Sequence, residues 1–162
     1  MITTSELAGF VSAHGVWCLS NADLFTPLLA YTNENDERQI ERFAFDDLNV
    51  AIEHGKQKLA SNDMDANDAV FIYIGLITVE DKKLDAIIIE MRAYFSPDSE
   101  AVLAIPYTTK NTGDFSVYKS KLLVWKNCED FNINSAFKYF FKGVDSHEEG
   151  SVIWNQCLDE FK

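Results

Sequence analysis

The chain has 162 residues, with 26 acidic against 14 basic side chains, and its formal net charge is −12. Nucleic-acid binding needs clustered cations along the phosphate backbone, so this balance argues against it. The hydrophobic fraction of 47% and the aromatic fraction of 13% exclude an acidic disordered tail. We expect one globular domain over residues 1–162.

The sequence also bears on the compartment. Residues 1–10 contain no Lys or Arg and include Glu6, so the basic region of a secretory signal is missing. The longest nearly apolar run, residues 69–79, is about half of the ~20 residues that span a bilayer. An odd number of widely spaced cysteines is typical of reduced thiols: Cys18, Cys128 and Cys157. We therefore expect a cytoplasmic protein that does not enter the membrane.

The N-terminal part predicts one helix and then three strands. Apolar residues at helical spacing predict a helix over residues 4–14, with Gly15 as its stop and His14 as a cation near its C-terminus. The strands are predicted at residues 16–20, 24–32 and 39–45.

Asp46 is predicted to cap a second helix, in which Gly55 lies on the apolar stripe. A glycine inside a helix costs about 1 kcal/mol relative to alanine, so its place on the stripe has two explanations. Either the helix backbone approaches another element closely at Gly55, or the helix ends at His54 with Gly55 as the stop. The sequence leaves both open.

From residue 69 the pattern becomes β. Short polar connections separate four strands and cannot hold crossover helices, so the strands form an antiparallel meander: 69–79, 84–94, 101–108 and 115–126. Two helices follow, the first ending at Gly143 and the second starting with a Ser146/Glu149 capping box and reaching Phe161. The predicted class is α+β, with a mainly antiparallel sheet made of this meander and the N-terminal strands, covered by about four helices.

Sequence motifs for known chemistries are missing. The seven glycines are isolated, so no phosphate-binding loop or dinucleotide fingerprint is present, and no zinc spacing occurs. Asp63, Asp65 and Asn67 resemble the start of a calcium loop, but Asp68 replaces its glycine and Ile74 its bidentate glutamate. We predict no catalytic residue, metal or cofactor. The sequence does not decide whether the protein is an enzyme, but it favours a protein without enzymatic activity.

One polar group interrupts the meander. Strand alternation puts Glu90 and Arg92 on one face, where a charged pair needs partners. Three polar residues on later strands are candidates to converge on the pair and form a ligand pocket: Tyr107, Tyr118 and Lys119. The alternative is a cross-strand ion pair where the strand emerges into solvent.

The charge excess is concentrated in one region. Residues 33–68 hold ten acidic and four basic side chains, which is half of the net charge of −12. We expect an acidic face centred on six residues: Glu34, Asp36, Glu37, Asp46, Asp47 and Glu53. Such a face can attract a basic partner, although acidic surfaces also serve solubility alone.

The sequence therefore supports two hypotheses from different classes. The first is a non-enzymatic interaction protein, of inhibitor or immunity type, whose acidic face binds a basic protein. The alternative is a small-ligand-binding or enzymatic domain around Glu90 and Arg92. A homodimer through a sheet edge or an aromatic helix face is a further option, because twelve Phe and three Trp are many for one small core.

Overall fold

The structure, a computed structural model that describes residues 1–21, 24–109 and 113–159, begins with the long helix α1 (Ile2–Asn21). The predicted stop at Gly15 and the predicted strand at residues 16–20 are both wrong, and His14 therefore lies inside the helix. Helix α1 packs between the sheet and the two C-terminal helices. A helix that is buried on several sides lacks the polar stripe by which helical periodicity is recognised.

The described residues form one eight-stranded sheet. Its strands are β1 (Leu28–Thr32), β2 (Arg38–Arg42), β3 (Asp68–Val79), β4 (Lys82–Ala93), β5 (Glu100–Thr108), β6 (Ser116–Tyr118), β7 (Lys121–Lys126) and β8 (Leu158–Asp159). Their order is β2-β1-β3-β4-β5-β6-β8, and β7 also pairs with β5. The β6–β8 pairing is parallel and the others are antiparallel. The predicted α+β class with a mainly antiparallel sheet is confirmed.

The last predicted strand is divided in the structure. Residues 116–118 pair with the end of β5, whereas residues 121–126 pair with its beginning, and a register shift lies between Val102 and Leu103. The two N-terminal strands are shorter than predicted, since β1 starts at Leu28 and β2 ends at Arg42. Lys119 and Ser120 form the break between β6 and β7.

Helix α2 (Leu48–Ser61) lies against the sheet with Gly55 in contact. Its N-cap is Asp47 rather than Asp46, and it continues past His54. A Cβ atom at Gly55 would lie 2.1 Å from the ring of Phe71, so the close approach is confirmed and the stop is wrong.

Helices α3 (Ile133–Ser146) and α4 (Glu148–Cys157) pack on α1. Gly143 does not end α3, because it is the point where the two helix backbones touch. A Cβ atom there would lie 1.9 Å from the Glu6 carbonyl oxygen, and one at Gly9 would lie 1.7 Å from that of Phe140.

The N-cap of α4 is His147, so the predicted Ser146/Glu149 capping box is wrong. Helix α4 ends at Cys157, and Phe161, to which the prediction extended it, lies outside the described residues.

The sheet carries a core on each face. The larger core joins α1, α3 and α4 to one face, and the smaller one joins α2 to the other through Leu29, Leu59 and Phe71. None of the helices in the described ranges combines the length and apolar character needed to cross a membrane.

Candidate functional site

The β1–β2 turn and the loop between α2 and β3 lie side by side because Asn67 joins them. The Asn67 backbone N–H donates to the Thr32 carbonyl at 2.9 Å, and its side-chain amide donates to the Asn33 carbonyl at 3.1 Å. The five exposed carboxylates of these two segments share one end of the sheet, and we call them the acidic end: Glu34, Asp36, Glu37, Asp63 and Asp65.

Hydrogen bonds within the β1–β2 turn hold its shape. The Asn33 side-chain oxygen accepts from the backbone N–H groups of Asn35 at 2.9 Å and Glu37 at 3.0 Å. Asp36 adopts a φ of 60°, a left-handed conformation that Asp and Asn tolerate better than most residues. The carboxylates of the turn are therefore carried on an ordered backbone.

The acidic end lacks neutralising partners. In the part of the chain that the structure describes, no Lys, Arg or His nitrogen lies within 4 Å of its five carboxylates. Lys58, on the last turn of α2, is instead paired with Glu41 on β2. Lys58 also attracts Asp63 through space, so this cation reduces the negative potential of the acidic end only from a distance.

The other three acidic residues predicted for this face lie elsewhere. Asp47 is occupied as the α2 N-cap, where its carboxylate accepts from the Asn49 backbone N–H at 2.8 Å. Asp46 precedes it and Glu53 is exposed on α2, and the full length of β2 separates Asp46 from the β1–β2 turn. The six predicted residues do not form one continuous face.

Glu90 and Arg92 each have partners on the α2 side of the sheet. The Tyr73 hydroxyl donates to the Glu90 carboxylate at 2.7 Å, and Lys56 of α2 lies 3.6 Å from the same oxygen. The Arg92 guanidinium lies 3.6 Å from the Glu100 carboxylate on β5. Burial and the bond to Glu90 raise the pKa of Tyr73, so Tyr73 stays a hydrogen-bond donor at neutral pH.

The proposed partners of this pair are not near it. Tyr107 lies in the larger core, on the opposite face of the sheet, where burial raises its pKa to about 12. Tyr118 and the exposed Lys119 lie on or just after β6, which pairs with the C-terminal end of β5. Glu90 instead pairs with Val102, near the N-terminal end of β5. The geometry does not assemble the alternative pocket from these five residues and favours a structural ion-pair network.

The structure also joins three residues that the sequence analysis did not group. The His147 ring accepts from the Gly150 backbone N–H through Nδ1 at 2.8 Å, so the proton of the neutral ring lies on Nε2. That atom is 3.4 Å from His14 Nδ1, and His14 Nε2 is 3.5 Å from Cys18 Sγ. A chain of hydrogen bonds thus leads from the α4 cap to a thiol on α1.

Two members of this His14–Cys18–His147 cluster have pKa values that are shifted toward the neutral form, His14 and Cys18. Burial lowers the pKa of His14, and the neighbouring His147 and Arg42 lower it further. Burial likewise raises the pKa of the Cys18 thiol, with Arg42 opposing. Since the thiolate is the reactive form, Cys18 is not an activated nucleophile. The four-residue spacing of His14 and Cys18 predicts that the two side chains are neighbours only if the helix continues past Gly15.

The chain matches no protein-family model, no curated protein and no solved structure. Over the described ranges, no three His, Cys, Asp or Glu side chains are grouped so that they could hold a metal ion. The surface chemistry of the chain itself is therefore the basis for a functional proposal.

Proposed function

We propose that this chain is a non-enzymatic protein-binding module of the inhibitor or immunity type, which binds a basic protein through its acidic end. The observation that supports this most is the contact made by Asn67, which brings two acidic loops together without a described cation within 4 Å. A surface of this kind attracts an oppositely charged partner over a long range and raises the association rate constant.

The order of the β1–β2 turn supports the same proposal. Binding by a flexible loop loses conformational entropy, whereas a turn already held by Asn33 loses less. Asp46 and Glu53 contribute only through the long-range potential, because they lie outside the acidic end.

The proposed setting is the cytoplasm. The three cysteines are free thiols, and Cys128 is buried, which fits a reducing compartment.

The test compares two variants that each remove three negative charges. The first carries Glu34→Gln, Asp36→Asn and Glu37→Gln within the acidic end. The control carries Asp98→Asn, Glu129→Gln and Asp130→Asn, three exposed positions in other loops. Proteins from the native host are captured on the immobilised wild-type chain at low salt, eluted with salt and purified, and association rates are then measured by stopped flow.

We expect a basic protein whose association rate constant falls at least about tenfold with added salt and with the first variant. The control should lower that rate much less. A rate insensitive to salt, an equal loss in both variants, or the absence of any basic protein from the captured fraction would contradict the proposal.

A further inference from the structure

Two buried side-chain oxygen atoms of the described residues have no hydrogen-bond partner. They are the hydroxyl oxygens of Ser5, on α1, and of Ser120, in the break between β6 and β7. Ser5 is 1% exposed. Buried polar groups are nearly always paired, because an unpaired one costs the free energy of its desolvation. Each hydroxyl therefore needs an explanation.

Ser5 and Ser120 each line a cavity on the α3 side of the sheet. The cavity at Ser120 has a volume of about 250 Å³, and the aromatic side chains of Phe137, Phe141 and Trp154 form its walls. The void at Ser5 is about 10 Å³ and lies between Trp125, Phe137 and Phe140. Phe137 lines both cavities.

Water is a poor explanation for the inner void. A volume of about 10 Å³ holds at most one water molecule, which needs two to four polar partners. Its lining is otherwise apolar, so Ser5 is its one polar side chain. Water therefore does not account for the Ser5 hydroxyl, which is left unpaired beside an apolar void.

The outer cavity has a cation at its rim. Lys119 is exposed and lines the cavity beside Ser120, and no described carboxylate lies within 4 Å of its ammonium group. A cation without a described carboxylate partner, next to an unpaired hydroxyl, is an arrangement that recognises an anionic oxygen. In a chain with a net charge of −12, an anion is otherwise repelled.

We propose that the outer cavity, which we call the cleft, binds a small amphipathic carboxylate. Its carboxylate accepts from Lys119 and Ser120, and its apolar body lies among Phe137, Phe141 and Trp154. The outer volume lies just below the range of about 300–1,000 Å³ found for small-molecule sites.

The first experiment measures the stability of the free protein. Ser5→Ala and Ser120→Ala each remove an unpaired hydroxyl, so each should raise the thermal unfolding midpoint, by about 2–4 °C. If a serine instead stabilises the fold, its replacement by alanine should lower the thermal unfolding midpoint. A lower midpoint in both variants would show that the hydroxyls are already paired and would overturn the proposal.

The second experiment measures binding with decanoate as the probe, below its micelle concentration. Trp154 and Trp125 line the two cavities, so saturable binding should change tryptophan fluorescence, and calorimetry should give the same affinity. Lys119→Gln with Ser120→Ala should weaken binding at least about tenfold. Lys138→Gln removes an exposed charge on α3 outside the cleft and should leave the affinity unchanged.

Decylamine serves as the control of opposite charge and should not bind. The proposal is overturned by the absence of saturable decanoate binding, by equal binding of decylamine, or by an affinity that the double variant leaves unchanged.

Discussion

At the scale of single residues, His14 illustrates how burial sets a protonation state. Its ring lies between His147 and Cys18, close enough to Arg42 for the guanidinium to act on it, and the Glu149 carboxylate lies 3.9 Å from the far nitrogen of His147. Burial is the largest of the effects that lower its pKa. The folded protein therefore binds a proton at His14 less readily than the unfolded chain does.

This predicts a pH dependence of stability. Between the ordinary histidine pKa of about 6.5 and the lower folded value, the unfolded state binds more protons. The free energy of unfolding should fall as the pH drops through this window. Urea titrations at a series of pH values should give a smaller fall for His14→Gln than for the wild type.

The exposed His54, on α2, provides the matched control. His54→Gln should keep the wild-type dependence on pH. The explanation fails if His14→Gln has the wild-type slope, whatever its effect on stability at neutral pH.

At the scale of elements, the start of α2 depends on one of two adjacent aspartates. The Asp47 side chain accepts from the Asn49 and Val50 backbone N–H groups, whereas, within the described residues, no helix N–H donates to the Asp46 side chain. Both residues are exposed and carry the same charge. Their difference is the geometry of the cap alone.

Asp47→Ala should therefore lower the free energy of unfolding by about 1 kcal/mol, the usual cost of a lost N-cap. Asp46→Ala should change it by less than about 0.5 kcal/mol, as is typical of exposed positions. Chemical denaturation of both variants provides the measurement. Equal losses would mean that charge near the helix start, and not the cap, is responsible.

The elements also show what local sequence patterns could and could not predict. The meander was predictable because its polar connections are too short for crossover helices. The sequence pattern predicts too short a helix α1, because its burial by the sheet on one side and by α3 on the other is a tertiary property. For the same reason Gly143 resembled a helix stop, although its role is contact with the Glu6 carbonyl.

The candidate sites, too, are predictable from local sequence only in part. The acidity of residues 33–68 is visible in the sequence, but the alignment of two loops by Asn67 depends on the strand register. The contact between His14 and His147 spans 133 residues and has no local signal. The unpaired hydroxyls of Ser5 and Ser120 result from packing alone.

At the scale of the whole molecule, charge repulsion opposes folding. The net charge is −12, and the acidic end concentrates five carboxylates without a described cation within 4 Å. Compaction brings like charges together, and dissolved salt weakens their repulsion.

The free energy of unfolding should therefore rise between about 10 mM and about 100 mM salt, over which the screening length falls from about 30 Å to about 10 Å. The acidic-end triple variant should show a smaller rise than the triple variant at Asp98, Glu129 and Asp130. Urea unfolding at both salt concentrations measures the effect. A stability that decreases with salt would mean that attractive ion pairs outweigh the repulsion.

The position of α1 has a consequence for synthesis. This helix emerges from the ribosome before every strand, yet one of its sides is covered by α3 and α4, which emerge after β7. The backbone of Phe140, which packs against Gly9, is absent until α3 has been synthesised. The side of α1 that faces α3 and α4 therefore stays uncovered until those helices have been made, and it is during this interval that chaperones would have to protect it.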